Sequence, residues 1–362
     1  MCHWSAVFSR SILTLFAGPA CWWRWPASLR DREPQALAEA RARLGDALEY
    51  LTFEQFLFFG QWMALKAYAN ERDIKLFGDM PIFVAHDSAE VWAHPELFDL
   101  DAEGMPRKVA GVPPDYFSET GQRWGNPLYD WDRMGVDGYA FWINRMHVQL
   151  ELFDIVRIDH FRGFEAFWEI PAEDENAING RWVAAPGDEL FDRLHDEFDP
   201  LPLVAEDLGI ITPEVDALRR RYGLPGMRIL QFAFGDGPDN PYLPFHHPRN
   251  TVVYTGTHDN DTCVGWFNGL QPHEKEFVFQ ILETKPRDDI AWLMIETAMQ
   301  TEANMAIAPL QDFLGLDTSA RMNTPGVAEG NWRWRFTWDM LPDDLPQRIH
   351  SNIQASGRLY AR

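Results

Sequence analysis

Three carboxylates, Asp159, Glu206 and Asp259, follow short apolar runs in the stretches FDIVRIDHFRGF, PLVAEDLG and YTGTHDNDT. Carboxylates on separate strands suit glycoside chemistry, in which one attacks the anomeric carbon and another protonates the leaving oxygen, while a third orients the sugar. Arg157, two positions before Asp159, projects from the same face of a strand and favours the ionised form that a nucleophile needs. The apolar PLVA run before Glu206 favours a protonated acid by desolvation. Plainer readings stand beside this one. Any one of the carboxylates alone serves equally well in a structural ion pair, and Asp79, Asp159, His160, His258 and Asp259 together would suit a hydrolytic metal centre.

The elements that must hold these groups alternate along the chain. Apolar runs predict strands at 74–84, 152–158, 201–206, 227–234, 251–257 and 304–310. Between them the spacing predicts helices: one from Glu33, a second begun by a Thr52/Gln55 capping box and running to about Asp73, others at 135–150 and 188–198, one started at Thr212–Pro213, and two between the last two strands. Such alternation implies parallel βαβ units. Five of the six strands end in polar groups, namely Asp79, Asp159, Glu206, His258 with Asp259, and Gln311 with Asp312. That distribution over many strand ends favours a (β/α)8 barrel of the TIM type over an open sheet, and no GxGxxG follows a strand.

Composition narrows the partners. A formal charge of −23 repels nucleic-acid phosphates and anionic membrane surfaces, so neither is expected as a partner. Sixteen Trp and twenty-five Phe serve either a core or the stacking of sugar rings. The three cysteines, Cys2, Cys21 and Cys263, lack zinc or disulfide spacing and fit a reducing cytoplasm. Residues 1–32 read as an atypical leader, disordered or non-native, in which SILTLFAGPAC is too short and poorly flanked for a membrane span or a clean signal peptide. Residues 33–362 read as the catalytic region, with a loop insertion at about 100–134. His246 and His247 read as surface histidines, the run AEDENA at 172–177 as a solvated turn, and Met227, Met294 and Met305 as core fillers.

The motifs GDMPIFVAHDSAEVW, GVPPDYFSETGQRWGNPLYDW, VRIDHFRGF, VAEDLG, YTGTHDNDT and ARMNTPG resemble, in order, those of the 4-α-glucanotransferases (amylomaltase or disproportionating enzyme, glycoside hydrolase family 77, α-amylase clan). The resemblance covers about residues 22 to 338. It implies retaining transfer of α-1,4-glucan segments between maltooligosaccharides, with Asp159 as nucleophile, Glu206 as general acid/base and Asp259 as transition-state stabiliser. It further implies that Asp79, Arg157 and His258 hold the glucose unit at the cleavage point. Such chemistry needs neither metal nor cofactor. The 111–131 segment is rich in Gly and Pro yet carries Tyr116, Phe117 and Trp124, which read as substrate platforms in a lid over the acceptor side. Tyr129 and Trp131 read as packing residues.

One departure accompanies the match. An eight-stranded barrel needs two strands more than the six found, and the family's GILLHPTSL-type motif and SPYS segment are missing from this sequence. The expectation is therefore a barrel lacking its first two strands, with low activity or poor solubility unless they are supplied from upstream. Alternatives to the transferase reading are a truncated or degenerate barrel that binds glucan without turnover, and an α-glucan hydrolase.

Overall fold

The computed structural model describes residues 21–115, 118–235, 237–327 and 329–359. Most of the leader, including SILTLFAGPA, and both Tyr116 and Phe117 lie outside these. In chain order the strands are β1 (Phe77–Pro81), β2 (Lys108–Val112), β3 (Gln122–Pro127), β4 (Ile155–Asp159), β5 (Ala166–Pro171), β6 (Arg181–Ala184), β7 (Leu203–Ala205), β8 (Gly226–Ile229), β9 (Thr251–Tyr254) and β10 (Met305–Ile307). The six strands expected from apolar runs are all here, each shorter than its run. The chain divides into two compact units, one reaching Leu224 and the other starting at Pro225. The class is α/β, and among the described residues the six expected strands form two three-stranded parallel sheets, one in each unit, rather than one continuous sheet.

In the first unit the parallel order is β1-β4-β7, with Asp79 opposite Arg157 and Val156 opposite Leu203. Val156, Ile158, Leu203 and Ala205 are buried, as expected for parallel strands covered on both faces. Helices Ala140–Leu152 and Gly187–Glu197 precede β4 and β7 and add Trp142, Met146, Phe191 and Leu194 to the same core. Gly78 is required by this packing, because a Cβ there would overlap the ring of Phe153. Tyr129 and Trp131 are buried in the core, and the Tyr129 hydroxyl donates to the Ile82 carbonyl at 2.6 Å, so both pack as expected. The expected boundary at residue 32 falls inside this unit, where Trp22 and Trp25 are buried in the same core as Met80 and Ile158.

One expectation for the first unit is corrected. No helix starts at Thr52: one helix ends at Arg43, the next runs Gly45–Asn70, and Thr52 sits inside it with its hydroxyl donating to the Leu48 carbonyl at 2.8 Å. A threonine inside a run of helix formers satisfies its hydroxyl on the preceding turn and leaves the helix unbroken. That helix also exposes Tyr50, Phe53, Phe56, Leu65 and Tyr68. The segment expected as a loop insertion supplies two strands of an antiparallel sheet in the order β3-β2-β5-β6. Its partners β5 and β6 follow Asp159 in the sequence, and the acidic 172–177 run forms the turn that joins them.

In the second unit the parallel order is β10-β9-β8. Three helices, Cys263–Gly269, Pro272–Ile281 and Ile290–Gln300, replace the two expected between β9 and β10. Their apolar faces join Leu230 and Val253 in a core that includes Cys263, Val278 and Met294. Met227 and Met294 are fully buried, whereas Met305 is half-buried. His246 is exposed, but His247 is not a surface histidine: it is buried, its Nε2 lies 2.8 Å from the Tyr242 carbonyl, and burial pushes its pKa down to about 4.

Candidate active site

The first unit gathers its charges at the C-terminal ends of β1, β4 and β7. Arg157 lies on β4 with its side chain 10% exposed, and it is held between two carboxylates. Its Nη1 donates to both oxygens of Asp79, at 2.8 and 2.7 Å, and its Nη2 donates to Oδ1 of Asp159 at 2.7 Å. Parallel register places Asp79 directly across from Arg157, and the two-residue strand period puts Asp159 on the same face. Burial works against the arginine's charge, yet the attraction of Asp159 and Asp79 outweighs it, so its pKa is raised further. The guanidinium is a fixed cation. Asp159 nonetheless stays reachable, with its side chain 45% exposed.

Glu206 immediately follows β7. Its Oε2 accepts from the His160 backbone N–H at 2.7 Å and its Oε1 from that of Leu208 at 3.0 Å. The His160 bond depends on a left-handed backbone at that histidine, φ 55°, which turns the chain sharply after β4. Burial, and then the negative charge of Asp159, push the Glu206 pKa up to about 7 against the opposing pull of Arg157 and the two N–H donors. Here desolvation wins over three groups that favour the anion. One carboxylate paired to a buried arginine and another made protonatable near neutrality is the division of labour that acid–base chemistry at a glycosidic bond requires.

An aromatic wall stands beside this pair. Trp124 on β3 is 39% exposed, and its ring meets that of His160 edge-on at 4.8 Å. Burial, then the cation of Arg162, push His160 down to about 4, so its ring is neutral at physiological pH. Its Nε2 is buried without a hydrogen-bond partner among the described residues. The sequence suggested His160 only as a metal ligand; among the described residues no three His, Cys, Asp or Glu side chains converge as a metal site would need.

His258 and Asp259 lie in the second unit, in the turn between β9 and the Cys263–Gly269 helix. The His258 Nε2 is 3.4 Å from Oδ2 of Asp259. Two residues of the ARMNTPG stretch clamp this turn and were given no role from sequence: Asn323 donates from Nδ2 to Oδ1 of Asp259 at 2.6 Å, and Arg321 donates from Nη2 to the Asp259 carbonyl at 2.6 Å. The Asn323 N–H also donates to the His258 carbonyl at 3.0 Å. Their place in a motif was the available signal; nothing in the spacing revealed their partners. If Asp259 has the role that the resemblance implies, Asn323→Ala is expected to lower kcat about tenfold, roughly the value of one charge-assisted hydrogen bond, with KM nearly unchanged. Steady-state kinetics and a thermal melt check this: a drop in kcat only in proportion to a lost fold would make Asn323 structural.

Residues 6–341 match the sequence model of glycoside hydrolase family 77, described as 4-alpha-glucanotransferase. The chain belongs to this family. It is 54% identical over 345 residues to the 4-alpha-glucanotransferase of Thermus thermophilus, a match covering 93% of this chain and 69% of that protein. With the 4-alpha-glucanotransferase of Synechocystis it shares 51% identity over 342 residues, covering 94% of this chain and 68% of the relative. The structure matches amylomaltase from Streptococcus agalactiae, solved in complex with acarbose, with a TM-score of 0.93 and 36% identity over 97% of this chain and 71% of that one. No helix among the described residues of this family member is long and apolar enough to cross a membrane.

Proposed function

We propose that the chain carries the machinery of a 4-α-glucanotransferase that moves α-1,4-glucan segments between maltooligosaccharides with retention. The observation that carries this reading is the raised Glu206 beside an Asp159 held by Arg157. In the first step the Asp159 carboxylate attacks the anomeric carbon, the bond from that carbon to O4 breaks, and Glu206 gives its proton to the departing oxygen. A glucosyl ester on Asp159 results. The ester is uncharged, which removes one of the two causes of the raised Glu206 pKa, so that Glu206 stays ionised near neutrality and free to accept a proton. In the second step Glu206 takes the proton of an acceptor's 4-hydroxyl, whose oxygen attacks the same carbon and frees Asp159. Two inversions give retention.

Asp79 and Arg157 are read as the groups that hold the glucose unit. Asp259 is read as the transition-state stabiliser and His258 as a sugar ligand, both on the strength of the YTGTHDNDT motif. The barrel form of the fold rests likewise on the family resemblance and on the parallel order within each sheet. Tyr116, Phe117 and Trp124 are read as platforms for the acceptor glucan; the exposed Trp124 ring beside His160 supports this for the tryptophan.

Incubation with maltotriose tests the reaction. Glucose together with a ladder of longer maltooligosaccharides is expected, whereas glucose and maltose alone would mark a hydrolase. Trp124→Ala should raise hydrolysis relative to transfer, because a lost aromatic platform costs about 1 kcal/mol, or roughly fivefold in acceptor binding. An unchanged product ratio would make Trp124 a packing residue.

A further inference from the structure

Trp332 stands out among the aromatic residues of the second unit. Its side chain is 53% exposed, although a tryptophan has much to gain from burial. Its backbone is left-handed, φ 62°, a conformation that costs of order 1 kcal/mol or more for a bulky residue and persists where the surroundings enforce it. Here they do: the Trp332 N–H donates to the Met322 carbonyl at 2.7 Å, and the preceding Asn331 accepts from the Thr324 N–H at 3.0 Å. These bonds tie Trp332 to the segment that clamps Asp259. The indole is thus held in the open beside His258, with ring centroids 5.2 Å apart and planes at 41°. The two rings share the lining of a cavity of about 150 Å³, whose polar members include Thr257, Asn260, Asp261 and Arg321.

An exposed, rigidly mounted aromatic face flanked by hydrogen-bonding groups is the chemistry that recognises a pyranose, whose C–H face packs on the ring while its hydroxyls meet the polar rim. We propose that Trp332 is a stacking platform for one glucosyl ring of the bound glucan, set beside His258. The proposal rests on the glucanotransferase reading of the site and adds a binding residue to it. Trp338 supplies the contrast: it is 80% exposed, and its ring contact is with Phe336 rather than with any residue of the site.

Calorimetric titration with maltoheptaose tests the platform without requiring turnover. Trp332→Ala should raise Kd about fivefold or more, Trp332→Phe should keep affinity within about twofold, and Trp338→Ala should leave it unchanged, all three with thermal melts near that of the parent. Equal affinity in Trp332→Ala and parent would overturn the proposal, as would a parent chain that gives no binding heat. Maltotriose disproportionation run alongside separates the two readings. Binding that depends on Trp332 with no transfer products would fail the proposed activity and leave the platform standing.

Discussion

Asp159→Asn is expected to abolish glucan transfer to within about a thousandth of the parent rate or less while maltoheptaose still binds. Asparagine matches aspartate in shape, and its amide oxygen can still accept the Arg157 Nη2 bond seen at 2.7 Å. The fold and the sugar contacts should therefore survive, with a melt close to that of the parent. What disappears is the anionic oxygen that must form the ester, and an amide oxygen is too weak a nucleophile to replace it. Mass spectrometry after incubation with an α-glucosyl fluoride should show a glucosyl adduct on the Asp159 peptide of Glu206→Gln, in which turnover of the ester is slowed, and none in any protein lacking Asp159. Near-normal disproportionation by Asp159→Asn would sink the nucleophile assignment. So would an adduct found on another carboxylate.

The parts of this site that were legible in the sequence are those in which local pattern and chemistry coincide. A parallel strand is a short apolar run, so a charge at its end is conspicuous, and Arg157 and Asp159 at a spacing of two had to share a face. Their bond and the raised Glu206 follow from those two facts. The antiparallel sheet was hidden because its pairing is not local: Lys108 on β2 meets Pro171 on β5, and the strands are broken by Gly111, Gly125 and Pro127 that read as loop residues. Gly111 is there because a Cβ would collide with the Gln122 carbonyl oxygen on β3. His247 was misread because two adjacent histidines in a Pro-flanked loop give no hint that one turns inward to the Tyr242 carbonyl. The contacts of Trp332 and Asn323 were hidden for a similar reason, although Asn323 lay within a quoted motif. These contacts come from a tertiary clamp onto the His258–Asp259 turn, and one tryptophan among sixteen carries no mark of its own.

The acid role of Glu206 has the sharper signature in pH. Its pKa stands near 7 because burial and the Asp159 charge disfavour the anion, so the proton needed for the first step is present below pH 7 and is lost as pH rises through that value. The rate kcat/KM for maltotriose should therefore fall on the alkaline side with a midpoint near 7, approaching tenfold per unit. Glu206→Gln should remove this limb altogether and lower kcat/KM for maltotriose by about a hundredfold or more. An α-glucosyl fluoride donor should behave differently, since fluoride departs without needing a proton: the first step should be nearly spared, the ester should accumulate, and the slow step should become its capture by a sugar hydroxyl that no base deprotonates. Azide, which attacks without losing a proton, should then restore turnover in Glu206→Gln but do little for the parent. The electrostatics add a further consequence. Because the Asp159 charge is one of the causes that raise Glu206, Asp159→Asn should move the Glu206 titration to lower pH, and carbon-13 NMR of labelled glutamate can follow it in a protein that no longer turns over. Equal losses on maltotriose and the fluoride donor, or an alkaline limb that persists in Glu206→Gln, would take the acid role away from Glu206.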